Sequence, residues 1–330
     1  MLKHGMVAVL VAFFLVLSTP VQAQYSTQAD PLSLIVTPEY PSSYQTVTVS
    51  PRSTLLDLSA STVNVSVNGV VVQKGTGTQS TAVTVGAPGT ETKVVVSVTG
   101  PDNRTYTSQT ILRPADVALV IEPATTAHPF YLGLPLTAPE GRVRLIAIPD
   151  IRTSAATSIS PSSLIYTWRL GGRILESSSG IGRSVLVATA PVRHRAADIT
   201  LTVTSSDARY TAQAKTTIDP VDPVVRLYPY DPLLGPDYDH AITGTYDLKG
   251  TEETFRAVPY FFKEAPTLEW KVGGVAQTAL RDITVRSSGN GAGSSSLEVS
   301  ARIPSTLQLA SSRVLLRFGE GKSPFSIFGF

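Results

Sequence analysis

The sequence predicts an all-β chain of three tandem two-sheet sandwiches. Short runs alternate apolar and polar residues, the period of a half-buried strand. Three of these runs end in a dipeptide suited to a tight hairpin turn. The hairpins fall at nearly even intervals along 330 residues, a length that exceeds one small core and suits two or three domains.

The hairpins share one design. Leu164, Tyr166, Trp168 and Leu170 alternate with Ile165, Thr167 and Arg169 before Gly171-Gly172. Leu268, Trp270 and Val272 alternate with Glu269 and Lys271 before Gly273-Gly274, and Val63, Val65 and Val67 precede Asn68-Gly69. Glycine and asparagine take the positive φ that both central positions of such a turn require. Val65, Trp168 and Trp270 hold equivalent places. A sugar-stacking platform would not survive loss of its ring, whereas a core position would, so all three are expected in the cores.

Other elements repeat in step with the hairpins. Opening strands are expected at Leu32–Val36, Val117–Ile121 and Val224–Leu227, each stopped by a proline: Pro38, Pro123 and Pro229. The second strand of each repeat ends on Pro51, Pro149 or Pro259. Glycine-dotted loops follow the hairpins at Gly75–Gly77, Gly180–Gly182 and Gly289–Gly293. Late strands follow through Val94–Val98, Ile199–Val203 and Leu297–Ala301. In the third repeat a longer segment through Leu309 replaces the short turn before a last strand at Val314–Phe318. Roughly seven strands per hundred residues, with frequent turn signals, is the spacing of an immunoglobulin-like sandwich. The expected units are residues 24–116, 117–220 and 221–318, flanked by residues 1–23 and 319–330. Prolines at both joints predict a semi-rigid rod.

Composition agrees: 42% hydrophobic, 16% charged, with 24 Gly and 24 Pro, it favours short strands and turns. Residues 1–23 read as an export signal: Lys3, an apolar run Met6–Leu17, a break at Ser18-Thr19-Pro20, and Val21-Gln22-Ala23 with small residues at the two positions a signal peptidase reads. An uncleaved membrane anchor is the competing reading. The expected location is the cell surface, extracellular space or periplasm. A formal charge of +2 points to no nucleic-acid partner. The chain has no cysteine, so its domains hold together without disulfides, and thiol nucleophiles and thiolate metal ligands are excluded.

On the tryptophan strand followed by Gly-Gly, residues 31–318 resemble tandem bacterial immunoglobulin-like domains of secreted surface proteins. The third repeat is similar to uncharacterised exported proteins of candidate-phylum bacteria in Leu233-Leu234-Gly235, Tyr238, Ala241 and Ala257-Val258-Pro259-Tyr260-Phe261-Phe262. The chain lacks the inter-sheet cysteine pair of antibody domains and the W-D-F-G-D-G signature of polycystic-kidney-disease domains. The resemblance implies a fold and leaves the subfamily open.

The sequence predicts no catalytic set, no cofactor and no metal. Beyond residue 23 the histidines are His128, His194 and His240, and no G-x-S-x-G elbow is present. Asp231, Asp237, Asp239 and His240 place hard ligands on one stretch, the one candidate for calcium, without EF-hand or cadherin spacing. Gly289–Gly293 lacks the lysine of a phosphate loop. Arg193-His194-Arg195 is a small basic turn, a solvated face or a contact for an anionic polysaccharide. Tyr106 and Tyr210, like the tryptophans, are expected in the cores.

One stretch carries functional promise. Ser323–Phe330 reads S-P-F-S-I-F-G-F, with Phe325, Ile327, Phe328 and Phe330 as candidate docking residues. It would fold back over the third repeat, add to a sheet edge of another subunit in self-assembly, or serve as an assembly signal. The expectation is therefore a non-enzymatic exported surface or structural protein acting as a spacer, adhesion or assembly module. Its partner would be a protein or an envelope polysaccharide. A carbohydrate-binding module is the alternative.

Overall fold

The computed structural model describes residues 31–77, 79–153, 157–287 and 292–319. The expected export signal and the Ser323–Phe330 stretch lie outside the described residues, as do residues 289–291 of the glycine-rich connection.

The first sandwich comprises β1 (Ser33–Thr37), β2 (Thr46–Arg52), β3 (Thr62–Val67), β4 (Val70–Thr76), β5 (Thr81–Thr84), β6 (Thr92–Thr99) and β7 (Thr105–Leu112). In the second follow β8 (Asp116–Ala124), β9 (Arg142–Asp150), β10 (Ile165–Leu170), β11 (Arg173–Ile174), β12 (Gly180–Ile181), β13 (Val185–Thr189), β14 (Ala197–Thr204) and β15 (Thr211–Ile218). The third opens with β16 (Val224–Asp231), β17 (Gly235–Pro236), β18 (Gly244–Asp247) and β19 (Glu252–Tyr260). It continues through β20 (Thr267–Val272), β21 (Val275–Gln277), β22 (Asp282–Arg286), β23 (Gly293–Arg302) and β24 (Leu309–Phe318).

One wiring scheme recurs. In each unit the first, second and fifth main strands form one sheet: β1-β2-β5, β8-β9-β13 and β16-β19-β22. The hairpin and the last two strands form the other: β4-β3-β6-β7, β11-β10-β14-β15 and β21-β20-β23-β24. That is the strand order of tandem immunoglobulin-like sandwiches. Buried residues gather in three main clusters, within Leu32–Leu112, Ala115–Ile218 and Val225–Leu316. Among the described residues no helix is long and apolar enough to cross a membrane.

The hairpin turns have positive φ at both central residues, 48° and 85° for Asn68-Gly69, 54° and 83° for Gly171-Gly172, 56° and 83° for Gly273-Gly274. That is the type I′ geometry matching the twist of paired strands. Register also repeats. The second residue of each opening strand faces the proline of its neighbour: Leu34 with Pro51, Val117 with Pro149, Val225 with Pro259.

Several details differ from the sequence expectation. Pro123 and Pro229 lie inside β8 and β16 rather than after them. β8 is a sheet edge, so a missing N–H costs no ladder bond. The Pro229 carbonyl accepts from the Asp237 N–H at 3.0 Å, so this residue's nitrogen also faces away from β19. The second strands run one residue past their prolines. Gly75-Thr76 continues β4, and Gly180-Ile181 forms β12 against β10. The segment before the last strand is no longer than its counterpart in the second repeat, because β24 starts at Leu309 and pairs along β23 from Arg302 onward. The acidic stretch Asp231–Asp247 is not one loop. It holds β17, folded back on β16, and β18, which runs parallel to β24.

Candidate functional site

The tryptophans are core residues by position. Val65, Trp168 and Trp270 are 1%, 0% and 1% exposed. Each indole N–H donates to a carbonyl, Arg183 O at 2.9 Å and Leu280 O at 3.0 Å, which satisfies the one polar atom the ring carries inward. Tyr210 is buried and Tyr106 half-buried. The tryptophans and Tyr210 offer no face to a sugar.

The polar candidates are held apart. The Asp231 carboxylate accepts the N–H groups of Leu233 (2.7 Å) and Leu234 (3.0 Å), and these bonds keep it below the ordinary carboxylate range. Asp237 accepts the Asp239 N–H and lies 3.1 Å from His240 Nδ1. Among the described residues no group of three potential ligands converges as a metal would require. Arg193 grips Asp222 with two bonds of 2.5 Å, and His194 occupies a positive-φ turn beside it. The Arg193-His194-Arg195 turn thus spends one arginine on fixing the link into the third sandwich.

The structure brings together residues at the two joints instead. At the first, Ala115 N–H donates to Pro41 O at 3.2 Å, and Asp116 accepts both the N–H (3.1 Å) and hydroxyl of Ser43. Glu91 takes Arg113 at 2.8 Å and, across the joint, Arg209 at 3.2 Å. The hydrogen bond from Arg113 is the main reason its carboxyl lies low. This joint is polar and largely exposed.

The second joint is different in kind. After β8 the chain leaves its own sandwich and docks on the end of β19. Thr126 N–H donates to Phe262 O (2.9 Å), Phe261 N–H donates to Thr126 O (2.8 Å), and Phe262 N–H donates to Thr126 Oγ1 (3.1 Å). Gln308, buried, donates to Pro139 O at 2.5 Å and accepts the Lys263 N–H at 3.1 Å. Around this clasp the rings meet. His128 stacks on Tyr238, with centroids 4.3 Å apart and planes 12° from parallel, and meets the edge of Tyr260 at 5.7 Å. Tyr131 lies against Tyr260 and Phe261 at 5.9 and 6.1 Å. The Tyr228 and Tyr260 hydroxyls bond each other at 2.8 Å in a buried satellite cluster.

Electrostatics follow from burial. Desolvation, then the hydrogen bond to Tyr228, drives the Tyr260 phenol far above its ordinary range. Burial pushes the His128 imidazole down. Its Nδ1 accepts the Phe130 N–H at 3.1 Å, the geometry of a neutral ring protonated on Nε2. Sequence reasoning did not single out His128, Tyr131 or Tyr260 as a joint. The available signal was length: 125–141 joins the first two strands of the second repeat, about twice the span of 38–45 in the first, and carries His128, Phe130, Tyr131 and Leu132.

No family model matches the chain, and no curated protein matches it. Solved structures similar to it are tandem modules. The three N-terminal domains of the bacteriophage RB49 highly immunogenic outer capsid protein share 12% identity, with 88% of this chain and 99% of that one covered and a TM-score of 0.25. The fibronectin(III)-like modules of Clostridium thermocellum CbhA share 10% over 57% of this chain and 94% of theirs, again with a TM-score of 0.25. The Bacteroides ovatus mixed-linkage glucan protein SGBP-B, solved with a heptasaccharide, shares 13% over 88% and 72%, with a TM-score of 0.22. Superpositions this loose carry no functional argument. The class, a tandem immunoglobulin-like sandwich protein, rests on strand order and register.

Proposed function

We propose that the chain is an exported, non-enzymatic surface module that works as a spacer, holding its sandwiches at fixed orientation so that loops and sheet edges meet an envelope partner. The observation that carries this reading is the clasp at the second joint. Two backbone–backbone hydrogen bonds, a third from the Phe262 N–H to the Thr126 hydroxyl, and a packed ring cluster join residues 126–131 to 260–262. Such bonds between units reduce the hinge freedom that a short linker alone would leave. A spacer needs that; a string of independent domains does not. The partner class is a protein or an envelope polysaccharide. The carbohydrate-binding alternative loses its first candidates, because Trp168 and Trp270 lie inside the sandwiches.

Protease shaving of intact cells, paired with activity assays on purified residues 24–330, tests the reading. Surface accessibility without turnover of peptide or polysaccharide substrates is expected. Retention in the cytoplasm, or substrate hydrolysis, would overturn it.

A further inference from the structure

At both internal joints the same element reaches forward. The connection between the first and second strands of the first sandwich holds the start of the second through Pro41 and Ser43. That of the second sandwich holds the third through Thr126. In the third sandwich the equivalent chain begins at Pro232, and there it is bare. Leu233 and Leu234 are 94% and 89% exposed. They are held outward by their N–H bonds to the Asp231 carboxylate rather than drawn in by packing. Behind them opens a groove of about 800 Å³ whose walls combine Tyr230, Leu234 and three prolines with Lys249 and four carboxylates, Asp231, Asp237, Glu252 and Glu253, each already bonded within the chain. Large exposed leucines beside a partly apolar groove mark a surface suited to be covered.

The described chain ends next to that groove. β24 runs parallel to β18, with Asp247 opposite Arg317, and the Leu248 N–H donates to Arg317 O at 2.9 Å. Gly319 is therefore about one strand spacing from the segment that leads into Lys249, roughly 5 Å. In this sequence eleven residues follow Gly319, among them Phe325, Ile327, Phe328 and Phe330. Extended, they span up to about 40 Å, ample to cross the pole of one sandwich. Ser323–Phe330 contains no charged residue. Its side chains match the prolines, Tyr230 and Leu234 of the apolar part of the wall in chemistry.

We propose that Ser323–Phe330 folds back over the open pole of the third sandwich and occupies the groove behind Leu233 and Leu234. Its aromatic and isoleucine side chains take the place that the following sandwich takes at the two earlier joints. The inference goes beyond the spacer reading and does not depend on it, since it requires neither a partner nor a cell surface.

The absence of native cysteine makes the test direct. Leu234→Cys is combined in the full chain with F325C, I327C, F328C or F330C, and disulfide formation is followed at low protein concentration. The control places the second cysteine at Leu307, equally exposed at the opposite end of β24. The expected result is a cross-link within one chain for at least one pair, formed about tenfold faster than with the Leu307→Cys control. Equal rates for the two positions would overturn the proposal. Cross-links formed only between chains, rising with concentration, would also overturn it and assign the segment to a second copy. As a second measurement, maleimide labelling of L234C should accelerate several-fold when residues 320–330 are deleted; an unchanged rate contradicts the docking.

Discussion

Trp168 and Trp270 do at residue scale what Val65 does with a smaller side chain: each anchors the hairpin strand against the opposite sheet. Because the surrounding side chains are shaped to an indole, Trp168→Ala or Trp270→Ala leaves a cavity and an unpaired carbonyl. The expected loss is about 3–5 kcal/mol, read by denaturant unfolding of the affected sandwich. His128 makes a different prediction. Burial among Tyr131, Tyr238 and Tyr260 lowers its pKa in the folded chain, so the unfolded chain takes up the proton first. Its contribution is thus complete above the unfolded value, about 6.5, and is lost as pH falls below it. Between pH 7 and 5 the wild-type midpoint should fall more than that of His128→Phe; parallel pH profiles would contradict this. The carboxylates held low by partners, Asp222 and Asp231 among them, act in the same direction but only below their unfolded value, about 4.

Hairpins and clasps are the telling elements. Gly172 sits at φ 83°, where a β-branched residue is strained, so Gly172→Val should cost about 1–2 kcal/mol and fray β11 from β10. The clasp is tested by Thr126→Pro, which removes the N–H that bonds Phe262 O. With the clasp intact the second and third sandwiches are expected to unfold in one calorimetric transition, and in the variant in two; an unchanged single transition would contradict the coupling. These elements also show what the sequence could disclose. Alternation and turn chemistry are local, so the hairpins, the late strands and the sandwich class were legible in residues such as Trp168 and Gly171-Gly172. Pairing partners are not local. Pro123 and Pro229 read as strand ends because nothing in their neighbourhood reveals that Pro123 lies on an edge strand or that the Pro229 nitrogen faces away from β19. β18 was hidden for the same reason: Gly244–Asp247 is a strand only because β24 lies beside it. The joint was less legible still, since His128 and Tyr238 are separated by most of a sandwich and meet only when two units are docked.

For the whole molecule, the two joints predict two mechanical behaviours. The first adds to its Ala115–Pro41 and Ser43–Asp116 hydrogen bonds a charge pair across the units, Glu91 with Arg209, that salt screens and that is worth little by itself. The second carries the exposed Arg193–Asp222 pair but depends chiefly on backbone bonds and ring packing, which salt leaves alone. In about 1 M salt the first joint should lose the Glu91–Arg209 contribution while the second keeps its geometry. The most direct test of the spacer account uses spin labels at Val187→Cys on β13 and Val275→Cys on β21, both exposed, in this otherwise cysteine-free chain. Double electron–electron resonance should return one narrow distance distribution between the second and third sandwiches, the same at low and high salt. A broad distribution, or one that shifts with salt, would contradict a fixed joint and with it the spacer.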